Sequence, residues 1–391
     1  MSRRLVGALA AAGLLSAGVV AAPAASGPLR QQLVSLAAPD ASPSPQQLAS
    51  AAYNRMTPAQ QVGQLFMAGI PSKGATPAKV AKLRNSRIGN VILTKDSAAG
   101  RTAVKAVTSS LIAHQTESGV APFISTDQEG GEVQRLTGKG FATMPTALKQ
   151  GRVPLKVLRE ASTTWGSQLA AAGVDLDLAP VADTVPAKHA KKNLPIGAFD
   201  REFGHTPAVV AGHVSAFVRG MSAAGVDSTV KHFPGLGKAT GNTDTTRGVT
   251  DPVTRHSPYI GPFQSGVSAG AQFVMLSSAI YPKIDPDHLA CFSKIIIRSM
   301  LRGDLHFTGV VISDDFGTVA LRHVPLATRA VRFLNAGGTM AIDTTLSQIP
   351  AMIHGVVAQM AASKAFAASV QAAVMTVLLA KANAHLISPE V

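Results

Sequence analysis

The sequence predicts an α/β protein built as a single (β/α)8 TIM-type barrel, on three observations. Short apolar runs recur eight times, at 65–69, 90–93, 122–125, 174–179, 228–232, 273–276, 309–313 and 339–342. Longer stretches with helical periodicity separate them, and nearly every run ends on polar or charged residues. Apolar strands alternating with amphipathic helices imply a parallel sheet covered on both faces, and eight such units in roughly 330 residues suit a closed barrel. An open doubly wound sheet is the alternative, but no glycine-rich phosphate loop follows the first run.

The chain opens on Arg3 and Arg4, an apolar stretch from Leu5 to about Val20, and small residues at Ala22-Pro23-Ala24. This is the pattern of a secretory signal over 1–25, followed by export from the cytoplasm. The stretch is long enough for a membrane anchor, but its Gly and Ala content and its small-residue exit favour cleavage. No Cys stands at the exit to carry a lipid, and no later stretch is expected to span a membrane. Residues 26–50, rich in Pro, Ala, Ser and Gln, read as a linker, with the barrel over 51–388. Thr57-Pro58 is a helix start, Thr at the N-cap and Pro at the first helical position. Leu158, Ala161, Trp165 and Leu169 mark one amphipathic helix. Val210, Val214, Phe217 and Met221 mark another, which Thr206-Pro207 would cap.

Hydrophobic residues make up 46% of the 391 and charged residues 15%, which fills a core and excludes a disordered chain. The single cysteine, Cys291, excludes an internal disulfide and is expected to pack as a small apolar side chain. The net charge of +14 raises the question of nucleic acid. The basic residues are scattered, however, the densest group being Lys188, His189, Lys191 and Lys192, and three Tyr and one Trp leave few platforms for bases. Nucleic acid is therefore not expected as a partner. Anionic wall polymers or lipid headgroups are a better use for the charge.

In a barrel the chemistry sits at the C-terminal strand ends. Those ends carry Lys95 and Asp96, Asp127 and Glu129, Asp183, Lys231 and His232, Ser277 and Ser278, Asp314 and Asp315, and Asp343. Histidines at metal-ligand spacing are missing, so neither a metal nor another cofactor is expected. Carboxylates, Lys, Arg and His around one mouth suit a polyhydroxylated substrate, whose hydroxyls need both acceptors and donors. Lys231-His232 ends a buried run and meets a Pro-Gly turn, which reads as two polar groups presented beneath a loop. A Lys snorkelling beside a core His is the other reading. Asp314 is the sharpest single candidate: it ends the apolar run 309–313, and a carboxylate so placed can attack an anomeric carbon or stabilise an oxocarbenium ion. An Asp at such a junction can instead cap a helix, a role open above all to Asp315.

Several motifs resemble the N-terminal catalytic barrel of glycoside hydrolase family 3, in particular its single-domain β-N-acetylglucosaminidases. Asp127-Gln128-Glu129-Gly130-Gly131-Glu132-Val133-Gln134-Arg135 is almost the family's signature after the third strand. Gly63-Gln64-Leu65-Phe66, Leu178 to Asp183, Arg201-Glu202-Phe203-Gly204, Lys231 to Gly235 and Gly309 to Asp315 resemble its other motifs, across nearly the whole mature chain. The resemblance implies a carbohydrate substrate, a retaining mechanism with Asp314 as nucleophile, and Asp127, Arg135, Arg201, Lys231 and His232 as ligands of the sugar. A monomer is expected.

The loop after the fifth run departs from that family. Where the N-acetylglucosaminidase branch carries Gly-His-Gly and then Asp-Ser-His, this chain has Gly235-Leu236-Gly237 and Asn242-Thr243-Asp244. The acid/base His is absent, and Asp244 falls on its position, able to protonate a leaving oxygen once burial raises its pKa. Thr339 stands where the family usually places an Asp. The expectation is an exo-acting hydrolase using Asp314 and Asp244. The alternative is a secreted glycan-binding barrel that has lost efficient catalysis.

Overall fold

The computed structural model describes residues 42–116 and 118–389. The leader over 1–25 and most of the 26–50 stretch lie outside the described residues. Eight parallel strands form one sheet: β1 Phe66–Pro71, β2 Asn90–Thr94, β3 Phe123–Thr126, β4 Leu176–Asp177, β5 Asp227–Phe233, β6 Phe273–Leu276, β7 Val310–Ser313 and β8 Ala341–Asp343. Their order is β7-β6-β5-β4-β3-β2-β1-β8. Ile312 bridges to Met340, and the Ser313 N–H donates to the Met340 carbonyl at 2.9 Å, which brings the two edge strands together into a barrel.

All eight expected strands are present. The fourth is trimmed from 174–179 to Leu176–Asp177. Asp175 and Leu178 still donate to the Ile124 and Thr126 carbonyls at 2.9 and 2.8 Å, but Pro180 has no N–H to continue the ladder. The helix Leu155–Ala171 buries Leu158, Trp165 and Leu169, and Pro207–Ala223 buries Val210, Val214, Phe217 and Met221. Thr57 closes a capping box with Gln60 at the start of Pro58–Gly63, whereas the Thr206 side chain makes no cap bond.

Two readings of the sequence need correction. Residues 45–50, placed in the linker, begin a helix, Pro45–Arg55; Ser44 caps it, and Ala49 and Ala52 are buried where it packs on the C-terminal helix. That C-terminal helix, Lys364–Asn383, is long and apolar enough to cross a membrane by length and composition, contrary to expectation. Here its apolar surface is spent on the barrel. Phe366, Val370, Val374, Val377 and Leu378 are buried, and Lys381 Nζ donates to Gln64 Oε1, the Gly89 carbonyl and the Ala121 carbonyl at 2.6, 3.0 and 2.9 Å. Those three acceptors sit just ahead of β1, β2 and β3, so this helix seals the N-terminal end of the barrel.

At the opposite end the strands alternate in what they offer. Even-numbered strands supply an apolar layer: Ile92, Leu178 just past β4, Met275 and Ile342. Odd-numbered strands supply polar side chains above it: Asp127 after β3, Lys231 on β5 and Asp314 after β7. This is the stagger of a tilted barrel, in which neighbouring strands contribute to alternate layers.

Candidate active site

A cavity of about 460 Å³ opens on that apolar layer. All seven residues singled out from the sequence line it: Asp127, Arg135, Arg201, Lys231, His232, Asp244 and Asp314. The other strand ends play different parts. Ser277 turns into the wall, its Oγ 2.7 Å from Tyr281 Oη, and Asp343 is buried behind the cavity with Oδ1 accepting the Thr345 N–H.

One wall is a charge network around Glu129, which the sequence reading placed at a strand end but not in the site. Lys231 Nζ lies 2.7 Å from both Asp127 Oδ1 and Glu129 Oε1. Arg201 forks onto Glu129, Nε to Oε2 at 2.8 Å and Nη2 to Oε1 at 2.7 Å, while its Nη1 donates to the Pro195 carbonyl. Burial alone would raise the Glu129 carboxyl, but the Arg201 and Lys231 charges outweigh it and hold the group well below the usual carboxylate range. For Lys231, Asp127 and Glu129 likewise overcome desolvation and push the pKa up. Both cations therefore stay charged in the cavity wall. Arg135 sits nearer the mouth, its Nη1 2.8 Å from Asp96 Oδ1.

Asp183, fully buried, organises the turn after β5. Its Oδ2 lies 2.8 Å from His232 Nδ1, and its Oδ1 accepts the Leu236 N–H at 2.7 Å. With Nδ1 held by Asp183 the ring orientation is fixed, and His232 lines the cavity with Nε2 left for it.

Asp314 is half-buried on the floor, its Oδ1 accepting the Asp315 N–H at 2.8 Å. Desolvation, then the Asp244 carboxylate, push its pKa up to about 6, against the pull of His232. Asp315 does not cap a helix. Its Oδ1 accepts the N–H groups of Gly317 and Thr344, and its Oδ2 the Thr344 hydroxyl, which ties the β7 loop to the β8 loop. Asp244 stands exposed at the rim. Desolvation in the cleft raises its pKa, opposed by His232 and Arg201, while solvent screens the shift. Its loop is docked over the β7 end: the Val319 N–H donates to the Asp244 carbonyl and the Ala320 N–H to the Thr243 carbonyl, each at 3.2 Å.

The sequence profile of the glycosyl hydrolase family 3 N terminal domain matches residues 57–380. The chain belongs to glycosyl hydrolase family 3. Among curated relatives, a β-hexosaminidase of Xylella fastidiosa (strain M12) is 34% identical over 270 residues, covering 66% of this chain and 77% of the relative. The crystal structure of a β-N-acetylhexosaminidase from Beutenbergia cavernae DSM 12333 superposes with a TM-score of 0.81 at 44% identity, over 83% of this chain and 98% of that one. A family 3 β-N-acetylglucosaminidase from Paenibacillus sp. str. FPU-7 gives 0.76 at 27% identity, over 85% and 63%.

This family 3 protein is thus a glycoside hydrolase with a carbohydrate substrate, on the expected single barrel. Two of the three departures from the family motifs have local explanations. Leu236, in place of a His, is buried at 2% exposure, its carbonyl taken by Asn193 Nδ2. Thr339 donates its hydroxyl to the Val311 carbonyl at 2.8 Å and serves barrel closure rather than the cavity.

Proposed function

We propose that this glycoside hydrolase removes terminal β-linked N-acetylglucosamine with retention of anomeric configuration, Asp314 acting as nucleophile and Asp244 as acid/base. The observation that supports this is that the half-buried Asp314 and Asp244 line one cavity, with the 243–244 backbone bonded to residues 319–320 in the segment that follows Asp314. The Asp244 carboxylate raises Asp314, and a pair that has taken up one proton can carry it on Asp244 and leave Asp314 ionised. With Asp314 ionised and Asp244 protonated, Asp314 attacks the anomeric carbon while Asp244 gives its proton to the leaving oxygen. The resulting Asp244 carboxylate then takes a proton from water as the glycosyl–enzyme bond is hydrolysed. Asp127, Arg135, Arg201, Lys231 and His232 hold the hydroxyls of the cleaved sugar, their acceptors and donors alternating around it. The names of the relatives support N-acetylglucosamine as that sugar. Export is part of the proposal and rests on Arg3, Arg4 and the apolar run behind them.

The test uses aryl β-N-acetylglucosaminide and aryl β-glucoside with added azide. Wild type should prefer the former, and Asp314→Ala should lose activity by on the order of 10³-fold or more. Azide should rescue Asp314→Ala to an α-glycosyl azide and Asp244→Ala to a β-glycosyl azide. The same azide anomer from both variants would refute the assignment of roles.

A further inference from the structure

The densest basic group of the sequence, Lys188, His189, Lys191 and Lys192, has no part in the chemistry above. In the fold it occupies a short helical turn, Ala187–Lys192, in the loop after β4. Lys191 points away and pairs with Asp200 at 3.3 Å. Lys188, His189 and Lys192 instead line a second cavity of about 430 Å³, and Lys238, from the loop after β5, lines its other wall. The remaining lining residues are Pro, Ala, Asn, Thr and Tyr, with no carboxylate among them. None of the four basic side chains forms an ion pair among the described residues.

The walls are built. Asn193, buried, donates through Nδ2 to the Leu236 and Ala239 carbonyls, each at 2.7 Å, and accepts the Ile196 and Gly197 N–H groups at Oδ1. This clamps the two loops together. The Lys238 N–H is held by Asp251 Oδ2 at 2.7 Å behind the wall, and Lys238 Nζ rests over the Tyr259 ring, 3.7 Å from its centroid. Several like charges around one concavity repel each other and focus a positive potential into it, a situation relieved by a multivalent anion. Ammonium groups act as point charges arriving from different directions, which suits the several oxygens of a phosphoryl group better than the plane of a carboxylate.

We propose that this cavity is a phosphate site, in which Lys188, His189, Lys192 and Lys238 grip a phosphoryl group borne by the glycan outside the sugar that is cleaved. The two clamped loops also carry Arg201 and Asp244, which line the sugar cavity, so both cavities are built from the same pair of loops. The glycan-borne form rests on the function proposed above; phosphate binding itself does not.

Calorimetric titration with inorganic phosphate at low ionic strength tests the site in wild type, in Lys188→Ala/Lys192→Ala and, separately, in Lys238→Gln. Affinity should fall about tenfold or more in each variant. No saturable binding by wild type, or equal binding by all three proteins, would overturn the proposal. Turnover of a β-N-acetylglucosaminide with a phosphorylated leaving group, against its dephosphorylated counterpart, tests the source. The variants should lose about tenfold in kcat/KM on the phosphorylated substrate and nothing on the neutral one. Equal loss on both substrates would overturn the assignment. Phosphate binding with unaltered turnover of both would reject the glycan-borne form in favour of free phosphate. Absence of any β-N-acetylglucosaminide turnover by wild type would strike the function above and leave the titration to judge the site.

Discussion

At the scale of single residues, the site depends on groups that keep other groups in a fixed charge state. Glu129 touches no part of the cavity surface, yet it holds Arg201 and Lys231 together and keeps both charged. Asp183 does the same for the orientation of His232. Neither role was legible in the sequence, because both depend on side chains from different strands meeting within 3 Å. Asp127, Lys231, His232 and Asp314 were legible, because a polar residue that ends a buried apolar run at a barrel mouth has few structural uses. The Asp314–Asp244 coupling leads to a pH prediction. In the proposed mechanism Asp314 must be ionised to attack, so kcat/KM should fall below pH about 6 as it takes up a proton. The variant that reads this is Asp244→Asn, assayed on an activated aryl glycoside. The acid limb should move to lower pH, since the neighbouring charge that raises Asp314 is gone. An unmoved acid limb would show that the two carboxyls do not interact.

At the scale of elements, the loop from Leu236 to Asp244 sets where the proposed acid stands. The motif substitutions there were visible in the sequence, but their meaning required the fold: Leu236 is a buried anchor, and the Thr243–Asp244 backbone is pinned to residues 319–320. Leu236→Ala removes the anchor, with a stability cost of about 2–4 kcal/mol for a buried Leu. It should also let Asp244 drift. Turnover of substrates with poor leaving groups should then drop by about tenfold or more while activated aryl glycosides are little affected. A plot of log kcat/KM against leaving-group pKa reads this directly: a steeper slope than wild type is expected, and parallel lines would contradict it. The strands were predictable because two-sided burial gives continuous apolar runs. The Pro45–Arg55 helix was not, because its buried face is made of Ala49 and Ala52, small residues whose signal is lost in a Pro- and Ser-rich segment.

For the whole molecule, buried carboxyls set how stability responds to pH. Desolvation raises Asp177 to about 8, Asp343 and Asp227 to about 7, and Asp175 to about 6. Each binds a proton more tightly in the folded chain than in the unfolded one, where Asp titrates near 4. Their contribution to stability is therefore complete at acid pH and is lost as pH rises through the folded values. Lys381, lowered to about 7 by burial, works the other way, stabilising the fold as pH rises above 7. The thermal midpoint should thus be highest at mildly acidic pH. Asp177→Asn should remove a slope of up to about 1.4 kcal/mol per pH unit between about pH 4 and 8. Midpoints measured across that range in both proteins would decide it, and identical slopes would count against a protonated Asp177.

Lys381 has a further consequence, for handling the protein as a material. It fastens the C-terminal helix to the closed end of the barrel, and Ile387 beyond it bridges to Val120 on the same side. A bead coupled to the last described residues would grip the protein from behind and leave the mouth facing outward. Held that way, the protein could work on an insoluble polymer much larger than itself, approaching it cavity first.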